Sequence, residues 1–78
     1  MKESQYLEFR FVEKKPKTRV WEVCSKTNML RLGLIKWYGS WRQYTFFPEQ
    51  GTVFNEGCLE DIRYFLISEN DIQKAKHQ

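Results

Sequence analysis

Thirteen residues, Lys36 to Pro48, carry six aromatic side chains with Lys36 and Arg42 set among them. Aromatic faces can stack on unpaired bases while neighbouring cations hold the phosphate backbone, so this composition fits binding to single-stranded nucleic acid. A second basic run, Lys14-Lys15-Pro16-Lys17-Thr18-Arg19, supplies charge without aromatics. Lys14, Lys15, Lys17, Arg19 and Arg42 are the candidate phosphate contacts, with Lys36 beside the aromatics. Tyr38 and Trp41 flank Gly39-Ser40 and are the candidate stacking platforms, with Trp37 as a third. The same residue types also build ordinary cores and solvated turns, and for most of Trp21, Trp37, Tyr44 and Phe46 a place in the core is the better reading.

Charge is uneven along the chain. Residues 1–48 hold ten Lys/Arg and four Asp/Glu, whereas residues 49–78 hold three and six. A basic first part with a net charge of +3 overall agrees with an anionic partner, and also with plain solubility.

Other chemistries find few residues. His77 is the only histidine and lies next to the last residue, so the common general base is missing from the body of the chain. There is no Cys-x-x-Cys pair and no phosphate-cradling Gly-rich loop. Glu60 and Asp61 are adjacent on a helical segment and diverge. Cys58 near a helix start can gain thiolate character, or serve as a small hydrophobe. The expectation is a non-enzymatic module with no cofactor and no metal.

The elements that position these residues follow from periodicity. Leu7, Phe9 and Phe11 alternate with Glu8 and Arg10, which predicts a half-buried strand from Tyr6 with those three side chains in the core. Arg19–Ser25 is a second strand, and Thr27-Asn28 a tight turn in which Asn28 tolerates a left-handed conformation. Leu30–Tyr38 is a third strand whose phase shifts at Gly33, the mark of a bulge or a close backbone approach. Gly39-Ser40 predicts a two-residue hairpin turn, Trp41–Phe47 a fourth strand, and Thr52–Phe54 a short fifth.

Leu59, Ile62, Phe65 and Leu66 then recur at helical spacing, with Asn55 as N-cap. Ser68-Glu69-Asn70-Asp71 resembles a capping box for a second short helix or a frayed extension. The fold class is α+β: an antiparallel four- to five-stranded meander sheet packed against one C-terminal helix. At 78 residues it is a single domain, ordered over about 5–67, with a mobile tail over about 74–78. No apolar run approaches a membrane span, and the polar start has no signal-peptide character. The expected location is the reducing cytoplasm, with Cys24 and Cys58 able to remain thiols. One helix cannot cover all these aromatics. The sheet must curl, pair with a second copy as a homodimer, or expose some of them.

The runs Trp21-Glu22-Val23, Leu32-Gly33-Leu34-Ile35-Lys36-Trp37, Trp41-Arg42-Gln43-Tyr44-Thr45-Phe46-Phe47-Pro48 and Cys58-Leu59-Glu60-Asp61-Ile62 resemble a family of short phage and mobile-element proteins. The resemblance spans residues 20–66 and implies a small accessory protein of phage or prophage origin. In layout the chain is similar to single-strand DNA-binding domains of the positive-cofactor type, which implies dimerisation and binding of unpaired strands on the sheet. The alternative is a protein-interaction module, such as a phage-encoded inhibitor of a host protein, using the same aromatic patch as a hot spot.

Overall fold

The structure is a computed structural model that describes residues 6–76. Four strands, β1 (Leu7–Lys14), β2 (Arg19–Ser25), β3 (Arg31–Tyr38) and β4 (Gln43–Pro48), form one antiparallel sheet in the order β1-β2-β3-β4. A single helix, α1 (Glu56–Lys76), follows and packs on one face. The α+β meander with one C-terminal helix is therefore the observed architecture.

Period-two alternation sorts the sheet into two faces. Leu7, Trp21, Val23, Ile35 and Tyr44 point towards α1 and meet Ile62 and Phe65 in the core, with Phe9, Leu32, Trp37 and Phe46 packed around them. Phe65 stacks flat on Phe9 at 4.4 Å between ring centres and meets Trp21 edge-on at 5.1 Å. Trp21 and Trp37 each meet Tyr44 edge-on, at 5.5 and 5.4 Å. Most of the aromatic excess thus enters one core. Phe11 does not. It is 58% exposed and meets Trp21 edge-on, with 6.5 Å between ring centres. The ring that covers β1 is Phe65, and it sits on Phe9.

The phase shift at Gly33 is a bulge. Val23 pairs with Gly33 and Cys24 with Arg31, so Leu32 is the extra residue, and it packs on the core beside Ile35. The approach is also close, since a Cβ on Gly33 would lie 2.6 Å from both Phe46 Cε1 and the Phe47 carbonyl oxygen. The Phe46 ring, diagonal to Gly33 across β3–β4, fills the space that a side chain would take.

Two turns differ from expectation. The last β3–β4 pair is Tyr38 with Gln43, so residues 39–42 form a four-residue loop and Trp41 lies in it, outside β4. Arg42, at φ 54°, takes the left-handed position, and its N–H donates to the Tyr38 carbonyl at 2.9 Å. This register sets Tyr44 opposite Trp37 and Phe46 opposite Ile35, which is what the core requires. In the β2–β3 turn Met29, at φ 60°, is left-handed instead of Asn28. Asn28 uses its side-chain oxygen to accept the Leu30 N–H at 3.1 Å. The fifth strand is absent. Thr52 Oγ1 donates to the Glu49 carbonyl at 2.8 Å and closes a turn, and Phe54 packs edge-on against Phe46.

Helix α1 starts as expected, with Asn55 Oδ1 accepting the Cys58 N–H at 2.8 Å. Replacing Asn55 by alanine is expected to cost about 1 kcal/mol. In a urea titration the midpoint should fall with the slope unchanged. An unmoved midpoint would show that this cap contributes nothing.

Of the two readings of Ser68–Asp71 the extension is the one observed: α1 continues past residue 67, and no second helix begins at Ser68. It runs unbroken to Lys76, so residues 74–76 of the expected tail are helical, and residues 77–78 lie outside the described residues. Tertiary hydrogen bonds hold the last turns. Asn70 Oδ1 accepts the Tyr44 N–H at 2.6 Å and Asn70 Nδ2 donates to the Tyr44 carbonyl at 3.4 Å. The Asn70 carboxamide thereby acts like a neighbouring strand on the outer edge of β4.

Among the described residues no helix is long and apolar enough to cross a membrane, and no group of three or more His, Cys, Asp or Glu could hold a metal ion. Cys24 and Cys58 are free thiols.

Candidate nucleic-acid interface

In a meander, alternate turns share an end of the sheet. The β1–β2 loop (residues 15–18) and the β3–β4 loop (residues 39–42) therefore turn at the same end, about 10 Å apart by strand spacing. The C-terminal end of α1 docks there as well. Gln73, only 4% exposed, donates from Nε2 to the Lys17 carbonyl at 2.9 Å. Its Oε1 accepts the Tyr44 hydroxyl at 3.4 Å, and the Tyr44 oxygen accepts the Arg19 N–H at 3.1 Å. This buried relay ties helix, β4 and basic loop together.

The loop itself is closed by the Lys15 N–H donating to the Thr18 carbonyl at 2.8 Å. Lys14, Lys15 and Lys17 are exposed, and Arg19 is half-buried. Lys14, Lys17 and Arg19 line an open cavity of about 460 Å³ together with Gln73 and Lys76 of α1. The Glu69 carboxylate of α1 interacts with two of these charges, Arg19 and Lys76. Burial pushes its carboxyl above the usual carboxylate range, and Arg19 and then Lys76 pull it back.

The sheet face away from α1 divides in two. Over β3 and β4 it carries Lys36, Tyr38 and Phe47, with Trp41 from the loop beside them. Tyr38 meets Trp41 edge-on at 5.0 Å and Phe47 at 5.9 Å, and Lys36 Nζ sits 4.8 Å from the Phe47 ring centre. Trp41 is 63% exposed, the most open of the three tryptophans. Over β1 and β2 the same face carries Glu8, Arg10 and Glu22, with Arg10 within 3.8 Å of Glu8 and 3.7 Å of Glu22. Cys24 is buried between them. Burial first, then the Glu22 carboxylate, raises its thiol above the ordinary value, which disfavours the thiolate. Two carboxylates make that half a poor surface for a polyanion.

The nine candidates therefore separate. Lys14, Lys15, Lys17, Arg19 and Arg42 gather at the loop end. Lys36, Tyr38 and Trp41 join Phe47 on the open face. Trp37 belongs to the helix-covered face, packed on Tyr44, and presents no free platform. Phe47, Gln73 and Lys76 were not among the candidates. Strand parity alone puts Phe47 beside Lys36, whereas Gln73 and Lys76 reach the loop only through a long-range helix contact.

No family model matches the chain, and no solved structure matches it. It is 37% identical over 79 residues to the "Uncharacterized 9.3 kDa protein" of Acholeplasma phage L2, and the match covers 100% of this chain and 97% of that protein.

Proposed function

The chain belongs to the same family of small phage proteins as that Acholeplasma phage L2 protein, and from this premise we propose a non-enzymatic module that binds single-stranded nucleic acid at the loop end of its sheet. The observation that carries the reading is the meeting of exposed Trp41 and Tyr38 with Arg42, Lys15 and Lys17 at one end of the molecule. Bases would stack on Trp41 and Tyr38, and phosphates would follow the cations of the two loops. The carboxylates Glu8 and Glu22 keep the strand off the β1–β2 half of the face. In this setting the protein works in the host cytoplasm with both thiols reduced.

Titration of a labelled single-stranded oligonucleotide, at low and at moderate salt, tests this. Saturable binding that weakens with salt and quenches tryptophan fluorescence is expected. Replacing Trp41 by alanine should weaken binding about tenfold, since one stacked base is worth roughly 1–3 kcal/mol. The exposed position should leave stability within about 0.5 kcal/mol. No binding at low salt sinks the reading. Affinity for a host protein that survives nuclease treatment and ignores salt would assign Trp41, Tyr38 and Arg42 to a protein-docking hot spot instead.

A further inference from the structure

We propose that the cavity between the β1–β2 loop and the last turn of α1 receives a phosphate monoester, carried on the end of a nucleic-acid strand or on a mononucleotide. The strand-borne form rests on the nucleic-acid reading above, and the mononucleotide form does not.

Four cations, Lys14, Lys17, Arg19 and Lys76, line this one cavity, and no carboxylate is among its lining residues. Its volume of about 460 Å³ falls within the small-ligand range of roughly 300–1,000 Å³. The arrangement is built from beneath. Gln73, itself buried, fixes the Lys17 backbone to the helix, and Tyr44 bridges Gln73 to the Arg19 backbone. These bonds hold like charges together without a ligand, in a domain whose total stability is small, so they act as preorganisation for an anion.

The count of charges favours a monoester over a diester. An internal phosphodiester brings one negative charge. A terminal phosphate brings about 1.5–2 and three strong acceptor oxygens. Glu69, near Arg19 and Lys76, offsets part of the positive charge and leaves a surplus suited to a dianion. Arg19 can offer a two-pronged contact, while the lysines act as mobile point charges.

The test compares one short single strand ending in a 5′-hydroxyl, a 5′-phosphate or a 3′-phosphate, and adds thermal melts with adenosine and adenosine 5′-monophosphate. One phosphorylated end should bind about tenfold tighter than the hydroxyl end. Lys76→Ala should erase that advantage and leave the hydroxyl-ended strand within about twofold of its normal affinity, since Lys76 lies on α1, outside the two loops whose cations follow the strand, and one exposed charge adds little. Lys76→Arg should keep the advantage. A general loss of attraction would instead weaken all three strands by the same factor. Equal binding of all three ends, with no melting shift from the monophosphate, overturns the proposal and leaves the strand-binding reading intact. A preference for a phosphorylated end that persists in Lys76→Ala places the phosphate elsewhere and also overturns it. No strand binding, with a rise in melting temperature from the monophosphate that Lys76→Ala abolishes, upholds the cavity as a mononucleotide receptor and removes the strand-binding reading. Absence of both effects ends both.

Discussion

Replacing Gly33 by alanine is expected to bring the domain close to its unfolding midpoint at room temperature. The new methyl carbon would lie 2.6 Å from Phe46 Cε1, 2.8 Å from Phe46 Cζ and 2.6 Å from the Phe47 carbonyl oxygen. The ring can swing aside, but the carbonyl belongs to β4 and can move only if the β3–β4 ladder opens. Swinging the ring also empties the space beside Ile35 that Phe46 fills. Forced overpacking costs about 1–3 kcal/mol, and a clash against backbone belongs at the upper end. A domain of this size holds only roughly 3–5 kcal/mol in total. The melting temperature should fall by roughly 15 °C, taking about 4–8 °C per kcal/mol at this length. Gly39→Ala is the control, because nothing lies within 4 Å of its added carbon, and it should be nearly neutral. A Gly33→Ala protein that melts with the parent would show that β3 and β4 do not approach this closely.

Reversing Lys14, Lys15 and Lys17 to glutamate together is expected to lower affinity for a single-stranded oligonucleotide by at least about a hundredfold at low salt. Each lost phosphate contact removes about 0.7 from the slope of log affinity against log salt, so the slope should flatten by about 2. The fold should survive. The bonds that shape this loop, Lys15 N–H to the Thr18 carbonyl and Gln73 to the Lys17 carbonyl, use backbone atoms of the lysines. Lys26→Glu, in the turn at the opposite end of the sheet, should change affinity only a few-fold. Equal losses from Lys26→Glu and from the triple reversal would mean that net charge, and not the loop end, drives binding.

Some of this was open to reading from residue order alone. Arg19–Ser25 reads as a strand with its observed bounds because β-branched and aromatic residues fill it and a proline loop precedes it. The Gly33 phase shift marks the bulge, since Leu32 and Ile35 must both face the core from a strand. The end of α1 was hidden. After Leu66 its inward positions pass to Asn70 and Gln73, and their partners, Tyr44 and Lys17, are 26 and 56 residues away in sequence. Phe11 has the parity of a core residue, but parity carries no information on how far a helix extends its cover. Trp37 could have been placed, because it shares a face with Ile35 two residues earlier. Composition drew attention to the basic loop, whereas Lys76 joins it only once the helix has docked.

Strands add to sheets at their edges, and a growing array needs two free edges on every subunit. Here β4 is nearly blocked. Tyr44 is taken by Asn70, Pro48 has no N–H to offer, and α1 lies alongside. Among the described residues β1 is the remaining outer strand, with Phe11 and Val12 exposed on it. A subunit with one usable edge is a chain terminator. Two copies that joined through β1 would leave β4 as their outer strand, where the Asn70 carboxamide and Pro48 oppose further strand addition, so the sheet favours a pair over a fibre.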